Sequence, residues 1–263
     1  MQNQPGEIIF LYFGTIIFWI LVVGVIWILG QRSERIRPLR ERMLGQWRQA
    51  LLIMIVYEAS VFLSGRGFNL YGIAIFCQAL IGLAIARGIP AFEPLPVIQS
   101  VMRRDRVKNK LLFFAVMGLG AGILGMLLGS LAMGITQSIF HEVSLTNKIV
   151  QAFPVNKFRA FFFFLAGGGI AEEMVHRLVL LSLLWALTKR PWFAIILSAA
   201  IHSAYHFTPL NPLYLTFLQF PVSQFISGVV LGSWWGYVFV KRGYETAALG
   251  HTLSDWLPML FFM

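Results

Sequence analysis

Three short groups of polar and charged residues lie within apolar stretches of the C-terminal part of the chain. They are EEMVHR at 172–177, HSAYH at 202–206 and HTLSD at 251–255. Glutamate, histidine and aspartate are the residue types that exchange protons with a reacting group. A charged side chain at the centre of a membrane costs about 2.5–3.5 kcal/mol, so such residues face one another or water rather than lipid. We therefore predict that the three groups meet at one polar site.

The spacing within each group is that of one face of a helix, where residues four apart are neighbours. Glu173 and Arg177 are placed to form an ion pair that joins helices. Glu172 is then left without a full partner, which suits a general base. His206 and His251 are further candidates for catalysis, because three helices that each carry histidine into an apolar stretch indicate one shared site.

The same groups of residues leave a metal site open. Glu173 and His176 have the Glu-x-x-His spacing of di-iron helices, although the sequence contains one copy where two are expected. The histidine and carboxylate side chains could also hold a divalent ion such as zinc. Otherwise His176 and His202 are candidates for contacting the substrate or supporting the catalytic side chains.

The composition of the whole chain is that of a membrane protein. Hydrophobic residues make up 58% and charged residues 12% of the 263 residues, against roughly 25% charged in soluble domains. We predict an all-α, polytopic membrane protein with about eight transmembrane helices around a polar intramembrane cavity. The predicted helices are 8–29, 49–65, 68–86, 111–136, 160–187, 191–208, 213–240 and 245–262.

The net charge of +10 comes from basic segments between the predicted helices. Two of them, 31–48 and 87–110, hold most of the lysines and arginines. Such loops face the cytoplasm, which predicts that both termini lie outside, in what we expect to be a bacterial cytoplasmic membrane. Anionic lipids are the expected partners of these loops, and nucleic acid is not expected.

Together the three groups resemble the CPBP family of intramembrane proteases, also called the CAAX-protease and bacteriocin-processing or Abi family. That family carries EExxxR, FxxxH and HxxxN or HxxxD in this order. EEMVHR matches the first motif in full and HTLSD matches the third. HSAYH matches the second at His206, with His202 where the family has phenylalanine. The resemblance covers about 160–260, so we divide the chain into N-terminal transmembrane helices with basic loops (1–158) and a CPBP-like catalytic core (159–263).

This resemblance implies an intramembrane endopeptidase, a peptide hydrolase that cleaves a membrane-anchored peptide or protein near the bilayer. It implies that Glu172 and His206 activate a water molecule for attack on a peptide carbonyl. It also implies that His251 and Asp255 stabilise the oxyanion. Two further residues would hold the site together: Glu173 and Arg177. The resemblance itself implies no cofactor.

Asp255 leaves several interpretations open, because an ionised aspartate only accepts hydrogen bonds. It must be protonated, orient His251, or bind a metal. Two other functions also fit the sequence: a zinc-dependent membrane protease that uses the same residues as ligands, and a non-catalytic immunity, transporter or scaffold protein. A prenylated C-terminal peptide, a bacteriocin leader and a membrane-anchored sorting signal are all compatible substrates.

Overall fold

The protein is all-α, and the computed structural model describes residues 5–105, 107–142, 156–211 and 213–262. These residues form eleven helices, once the consecutive helical segments of 157–188 are taken together. The helices are α1 (Pro5–Arg32), α2 (Arg37–Gly45), α3 (Trp47–Leu63), α4 (Tyr71–Ala86), α5 (Pro96–Arg103), α6 (Val107–Phe140), α7 (157–188), α8 (Pro191–Tyr205), α9 (Tyr214–Phe217), α10 (Pro221–Arg242) and α11 (Tyr244–Phe262).

Seven of the eight predicted helices each coincide with one helix of the structure, and the all-α fold is confirmed. The predicted helix 213–240 is divided into α9 and α10, because Pro221 lacks a backbone N–H and begins a new helix. Within the described residues, Leu11–Arg32 and Val107–Phe140 are long and apolar enough to cross a membrane, while Tyr71–Ala86 and Pro191–Tyr205 are apolar but shorter. The number of spans and the orientation of the termini therefore stay predictions.

A row of glycines along α6 allows α10 and α11 to approach it closely. A Cβ atom at Gly122 would lie 2.7 Å from Leu253 Cβ on α11, and one at Gly129 would lie 2.8 Å from Leu231 Cδ1 on α10. Small residues at such spacings let helix backbones pack closely in membranes. This packing fixes the helix that carries HTLSD. The row consists of Gly118, Gly122, Gly125 and Gly129.

Three glutamates each accept hydrogen bonds from two backbone N–H groups at, or just before, the start of a helix. Glu58 caps α4, Glu245 caps α5 and Glu142 caps α10, with donor–acceptor distances between 2.8 and 3.1 Å. The first N–H groups of a helix have no intrahelical partner and carry partial positive charge. A carboxylate beside them is therefore stabilised, which explains why the apolar helix α3 carries Glu58.

The N-terminal helices and the C-terminal helices share one hydrophobic core. On α4, a Cβ at Gly82 would lie 2.8 Å from Leu178 Cγ of α7. Leu178 is completely buried, and the missing side chain at Gly82 makes room for it. The division of the chain at 158/159 is not tested by these contacts and stays a prediction.

Candidate active site

The middle of α7 is π-helical over Leu165–Glu172 and Met174–Leu181. Wider π-helical turns are rare and frequently occur at functional sites. The sequence led us to expect ordinary α-helical spacing here. On α11, Tyr244 donates a hydrogen bond to the Ile170 carbonyl at 3.0 Å, which ties down this part of α7. In this backbone the two consecutive glutamates of EEMVHR face different neighbours.

Glu173 and Arg177 form the completely buried ion pair that their spacing suggests. Arg177 Nε lies 3.4 Å from Glu173 Oε2, and both side chains are 0% exposed. Arg177 Nη2 also donates to the Gly232 carbonyl of α10 at 3.2 Å. Glu173 Oε1 lies 2.8 Å from His251 Nδ1 on α11. Because a buried charge is tolerated only with such partners, the pair joins α7, α10 and α11 at one point.

His202 links this buried pair to Glu172. Arg177 Nη1 lies 3.1 Å from His202 Nδ1, and His202 Nε2 lies 3.0 Å from Glu172 Oε2. A guanidinium group only donates hydrogen bonds, so Nδ1 must accept and the ring proton must sit on Nε2. His202 therefore donates to the Glu172 carboxylate, in the tautomer that Arg177 selects.

The other two histidines of this region are each anchored through Nδ1. His206 Nδ1 lies 3.0 Å from the His202 carbonyl, and His176 Nδ1 lies 3.0 Å from the Glu172 carbonyl. The His176 and His206 ring centroids lie 4.3 Å and 5.0 Å from that of His202. In each of these two rings Nδ1 donates to a backbone carbonyl. When the ring is neutral, its Nε2 is therefore left as an acceptor.

His251 lies between two carboxylates and against an indole ring. Its Nδ1 faces Glu173, its Nε2 lies 3.5 Å from Asp255 Oδ2, and its ring stacks on Trp235 with 5.5 Å between centroids and 12° between planes. A Cβ at Gly168 would lie 3.3 Å from His251 Nε2 and 3.0 Å from Asp255 Oδ2. The glycine on α7 thus lets that helix approach the His251–Asp255 pair closely.

The cluster has a buried side and an open side. The side chains of Glu173 and Arg177 are 0% exposed and that of His202 is 6% exposed, whereas those of Glu172 and Asp255 are 27% and 36% exposed. The exposed groups are proton acceptors, and the buried groups hold them in place. The arrangement can therefore accept protons from a molecule that approaches the open side.

All eight side chains singled out from the sequence lie in this one connected cluster, by the contacts described above. They are Glu172, Glu173, His176, Arg177, His202, His206, His251 and Asp255. The sequence analysis missed Trp235 and the carbonyl of Gly232, which both lie in the segment GSWWGY between the second and third motifs. The pair of tryptophans beside two glycines could have indicated part of the site, but the same pattern is equally typical of packing against lipid.

One group of side chains among the described residues could hold a metal ion. Ligand atoms of Glu172, His202 and His206 lie within 4.8 Å of one another, a donor set that suits zinc. Metal binding through His202 Nε2 would require the ring proton on Nδ1. That proton would then face the donors of Arg177, so a metal here would cost the Arg177–His202 hydrogen bond.

A family model for the type II CAAX prenyl endopeptidase Rce1-like proteins matches residues 154–257, which include all three motifs. This part of the chain belongs to the Rce1-like family. The family consists of peptide hydrolases that are integral membrane proteins, so the predicted family and enzyme class are confirmed, as is the prediction of an integral membrane protein. The bacterial cytoplasmic membrane stays a prediction. No curated protein and no solved structure matched the chain.

The Rce1-like region holds every side chain of the cluster described above, on α7, α8 and α11, together with the stacking indole of α10. The helices before it, α1 to α6, lie outside the match and contribute packing, as Gly82 does against Leu178. The match of residues 154–257 to the Rce1-like family implies an intramembrane protease, and the Glu/His cluster is consistent with it. The roles of individual residues are argued next.

Proposed function

We propose that this Rce1-like chain is an intramembrane endopeptidase in which Glu172 is the general base. The observation that supports this most is the state of its two carboxylate oxygens. Oε2 accepts a hydrogen bond from His202 at 3.0 Å, while Oε1 makes no hydrogen bond to any described residue. The side chain is also 27% exposed on the open side of the cluster. A general base needs this combination of a fixed orientation and a free acceptor within reach of water.

In the proposed reaction, a water molecule lies between Glu172 Oε1 and His206 Nε2. Its oxygen attacks the carbonyl carbon of the scissile peptide bond, and Glu172 takes one of its protons. The carbon–nitrogen bond then breaks, and the same proton passes from Glu172 to the leaving nitrogen. The products are a new carboxyl group and a new amine, and Glu172 returns to its ionised form.

His251 is the proposed donor to the oxyanion that forms on the carbonyl oxygen. Both of its nitrogens face carboxylate oxygens, on Glu173 and Asp255, so both are placed to donate. A substrate oxygen that approaches the open side could accept the Nε2–H in place of Asp255. Donors that are already oriented stabilise developing charge without reorganisation. Of the three interpretations of Asp255, this geometry favours the one in which it orients His251.

Arg177 and Glu173 take no direct part in the proposed chemistry. Arg177 fixes the tautomer of His202, and Glu173 holds Nδ1 of His251. This buried ion pair therefore positions both the base and the oxyanion donor. His176 packs against the His202 ring, with 4.3 Å between the ring centroids.

The proposed substrate is a peptide or protein held at the membrane. The matching family is described as CAAX prenyl endopeptidases, so a prenylated C-terminal CAAX peptide is the first substrate to test. The bacteriocin leader and the membrane-anchored sorting signal are the comparison substrates. The apolar helices around the cluster suit a substrate that carries its own lipid or apolar anchor.

Proteomics of protein termini in membranes tests the proposed function. Cells that express the wild type are compared with cells that express Glu172→Gln, and Glu41→Gln serves as a matched control because Glu41 is exposed and far from the cluster in sequence. We expect a set of new termini that depends on Glu172 and not on Glu41. Identical termini in all three strains, with equal protein levels, would overturn the proposal and favour a non-catalytic protein.

A metal-dependent protease is the second candidate, and the close approach of Glu172, His202 and His206 is the observation that favours it. In that case these residues would hold a divalent ion such as zinc, which would polarise the substrate and activate water. The Arg177–His202 hydrogen bond weighs against a metal site. A metal ion on Nε2 of His202 would need the ring proton on Nδ1, and Nδ1 already accepts a hydrogen bond from Arg177.

A further inference from the structure

A second polar feature lies where the N-terminal end of α11 meets the end of α10 and the start of α6. Two adjoining cavities of about 250 Å³ and 400 Å³ form one groove there. Lys110, Phe113 and Arg242 line both parts, and Lys241 and Thr246 line the smaller one. None of these residues belongs to the catalytic cluster, so the groove needs an explanation of its own.

The groove carries an excess of positive charge. Lys110, Lys241 and Arg242 have no carboxylate partner within ion-pair distance among the residues that the structure describes. The acidic residue that lines the groove, Glu93, is held by Arg87 with 3.1 Å between Nη1 and Oε1. Three cations against one neutralised carboxylate favour an anionic ligand.

Contacts between the helices also hold the residues around the groove in place. The Arg242 Cζ atom lies over the Phe113 ring, 5.2 Å from its centroid, which orients the guanidinium group. Gly243 has a φ of +85° and a Cβ there would lie 2.5 Å from Pro96 Cδ, so the turn into α11 sits directly against the start of α5. The Tyr244 N–H then donates to the Pro94 carbonyl at 2.8 Å.

The groove lies at a boundary between polar and apolar surface. On α6, exposed Lys110 is followed at once by Leu111, Leu112 and Phe113, which are 44%, 65% and 47% exposed. On α5, Val101 and Met102 are exposed just before two arginines. In an integral membrane protein, such a boundary marks the level of the lipid headgroups.

From these observations we infer that the groove binds the phosphodiester headgroup of an anionic lipid. Lys110, Lys241 and Arg242 would contact the phosphate oxygens. The acyl chains would lie along the exposed apolar surface that begins at Leu111. That apolar surface favours a lipid over free phosphate, which has no group to place there.

Native mass spectrometry of the full-length protein released from nanodiscs tests the inference. The nanodiscs contain phosphatidylcholine with phosphatidylglycerol, and the count of retained phosphatidylglycerol molecules is the readout. The groove variant is Lys241→Gln with Arg242→Gln. The matched control is Lys189→Gln with Arg190→Gln, a basic pair that begins at the end of α7 and does not line the groove.

We expect the wild type and the control to retain phosphatidylglycerol, and the groove variant to bind it roughly 10- to 30-fold more weakly, since each cation near an anionic surface contributes about 1 kcal/mol. Thermal unfolding confirms that all three proteins are folded. Equal retention by the groove variant, or an equal loss in the control, would overturn the site. Complete displacement of the lipid by millimolar inorganic phosphate would overturn the lipid assignment in favour of free phosphate.

Discussion

Arg177 Nη1 and His202 Nδ1 lie 3.1 Å apart in a site where neither side chain is more than 6% exposed. This contact decides which nitrogen of His202 carries the proton. Because the proton is on Nε2, the ring donates a hydrogen bond to Glu172. His202 stands where the CPBP motif has phenylalanine. In this chain the departure from the motif lies at the centre of the site.

Replacing His202 tests that link. His202→Phe keeps an aromatic ring but removes both hydrogen bonds, so Glu172 loses its fixed orientation. We expect kcat to fall about 10- to 100-fold, as for other residues that orient a catalytic group, with little change in KM. His141→Phe is the control, since His141 lies in the turn after α6 and outside the cluster. An unchanged kcat would show that Glu172 does not depend on His202.

Substitution of Glu173 should lower the stability of the protein far more than substitution of Glu172. Glu173→Gln leaves the guanidinium of Arg177 buried without its counter-charge, which costs about 3–5 kcal/mol. Glu172→Gln keeps its volume at a partly open position and should change stability little. Thermal unfolding in the same detergent compares the two variants with the wild type. Equal melting temperatures for all three would contradict the buried ion pair.

The ring of Trp235 is expected to position His251. Trp235 is 1% exposed, and Cβ atoms at Gly125 and Gly250 would collide with its ring, so the indole fills a closed slot. Trp235→Leu removes the stacked surface, and we expect kcat to fall more than KM changes. Trp235→Phe should restore part of kcat, because it keeps an aromatic face. If Trp235→Leu and Trp235→Phe had the same kcat at equal stability, stacking on the His251 ring would have no role in catalysis.

Chelation separates the two candidate functions. Because the proton on His202 Nε2 is fixed by Arg177, we expect dialysis against EDTA or 1,10-phenanthroline to leave peptide cleavage unchanged. Metal analysis of the purified protein provides the parallel measurement. Loss of activity on chelation, with recovery on adding zinc, would contradict the metal-free reaction and support the metal-dependent one.

The cap that Glu142 forms on α10 should depend on pH. Slight burial raises the pKa of Glu142, but the hydrogen bonds from Ser223 and Val222 outweigh it and lower the pKa below the ordinary value of 4.5. A lowered pKa means that the stabilisation is fully present above pH 4.5 and is lost as the pH falls through the lowered value.

Hydrogen exchange at the first turn of α10 provides the measurement for this cap. At pH 7, Glu142→Gln should exchange faster than the wild type there, by the equivalent of about 0.3–1 kcal/mol. The difference should shrink once the wild-type carboxylate is protonated. A difference that persisted unchanged after the wild-type carboxylate had been protonated would contradict the cap.

The sequence was sufficient for the parts of the fold that depend on local pattern. Apolar stretches between basic loops predicted the helices, and the four-residue spacing predicted the Glu173–Arg177 pair. The sequence did not reveal the π-helical turns of α7. Its local pattern also does not show contacts between distant helices, such as the hydrogen bond from Tyr244 to the Ile170 carbonyl within this part of α7. Glu58 shows the same limit, since its partners are backbone groups of another helix.

The role of His202 could not be predicted from the spacing either. Helical periodicity places His202 and His206 on one face, but it does not say which neighbour each ring meets. The Arg177 contact depends on how α7, α8 and α10 pack together. Gly232 on α10, for example, lies close to Ala199 on α8 and to the guanidinium group of Arg177. A residue of the buried core and a residue of the reaction site therefore look alike in the sequence.

The central claim is that the Glu172 carboxylate takes the proton of the attacking water. The most direct test is the rate at which purified wild type and Glu172→Gln, both folded and in nanodiscs, cleave a prenylated CAAX peptide, with the product identified by mass spectrometry. We predict that the variant binds the peptide but cleaves it at least about 100-fold more slowly, the usual contribution of a general base. Cleavage by Glu172→Gln at a rate close to that of the wild type would contradict the account.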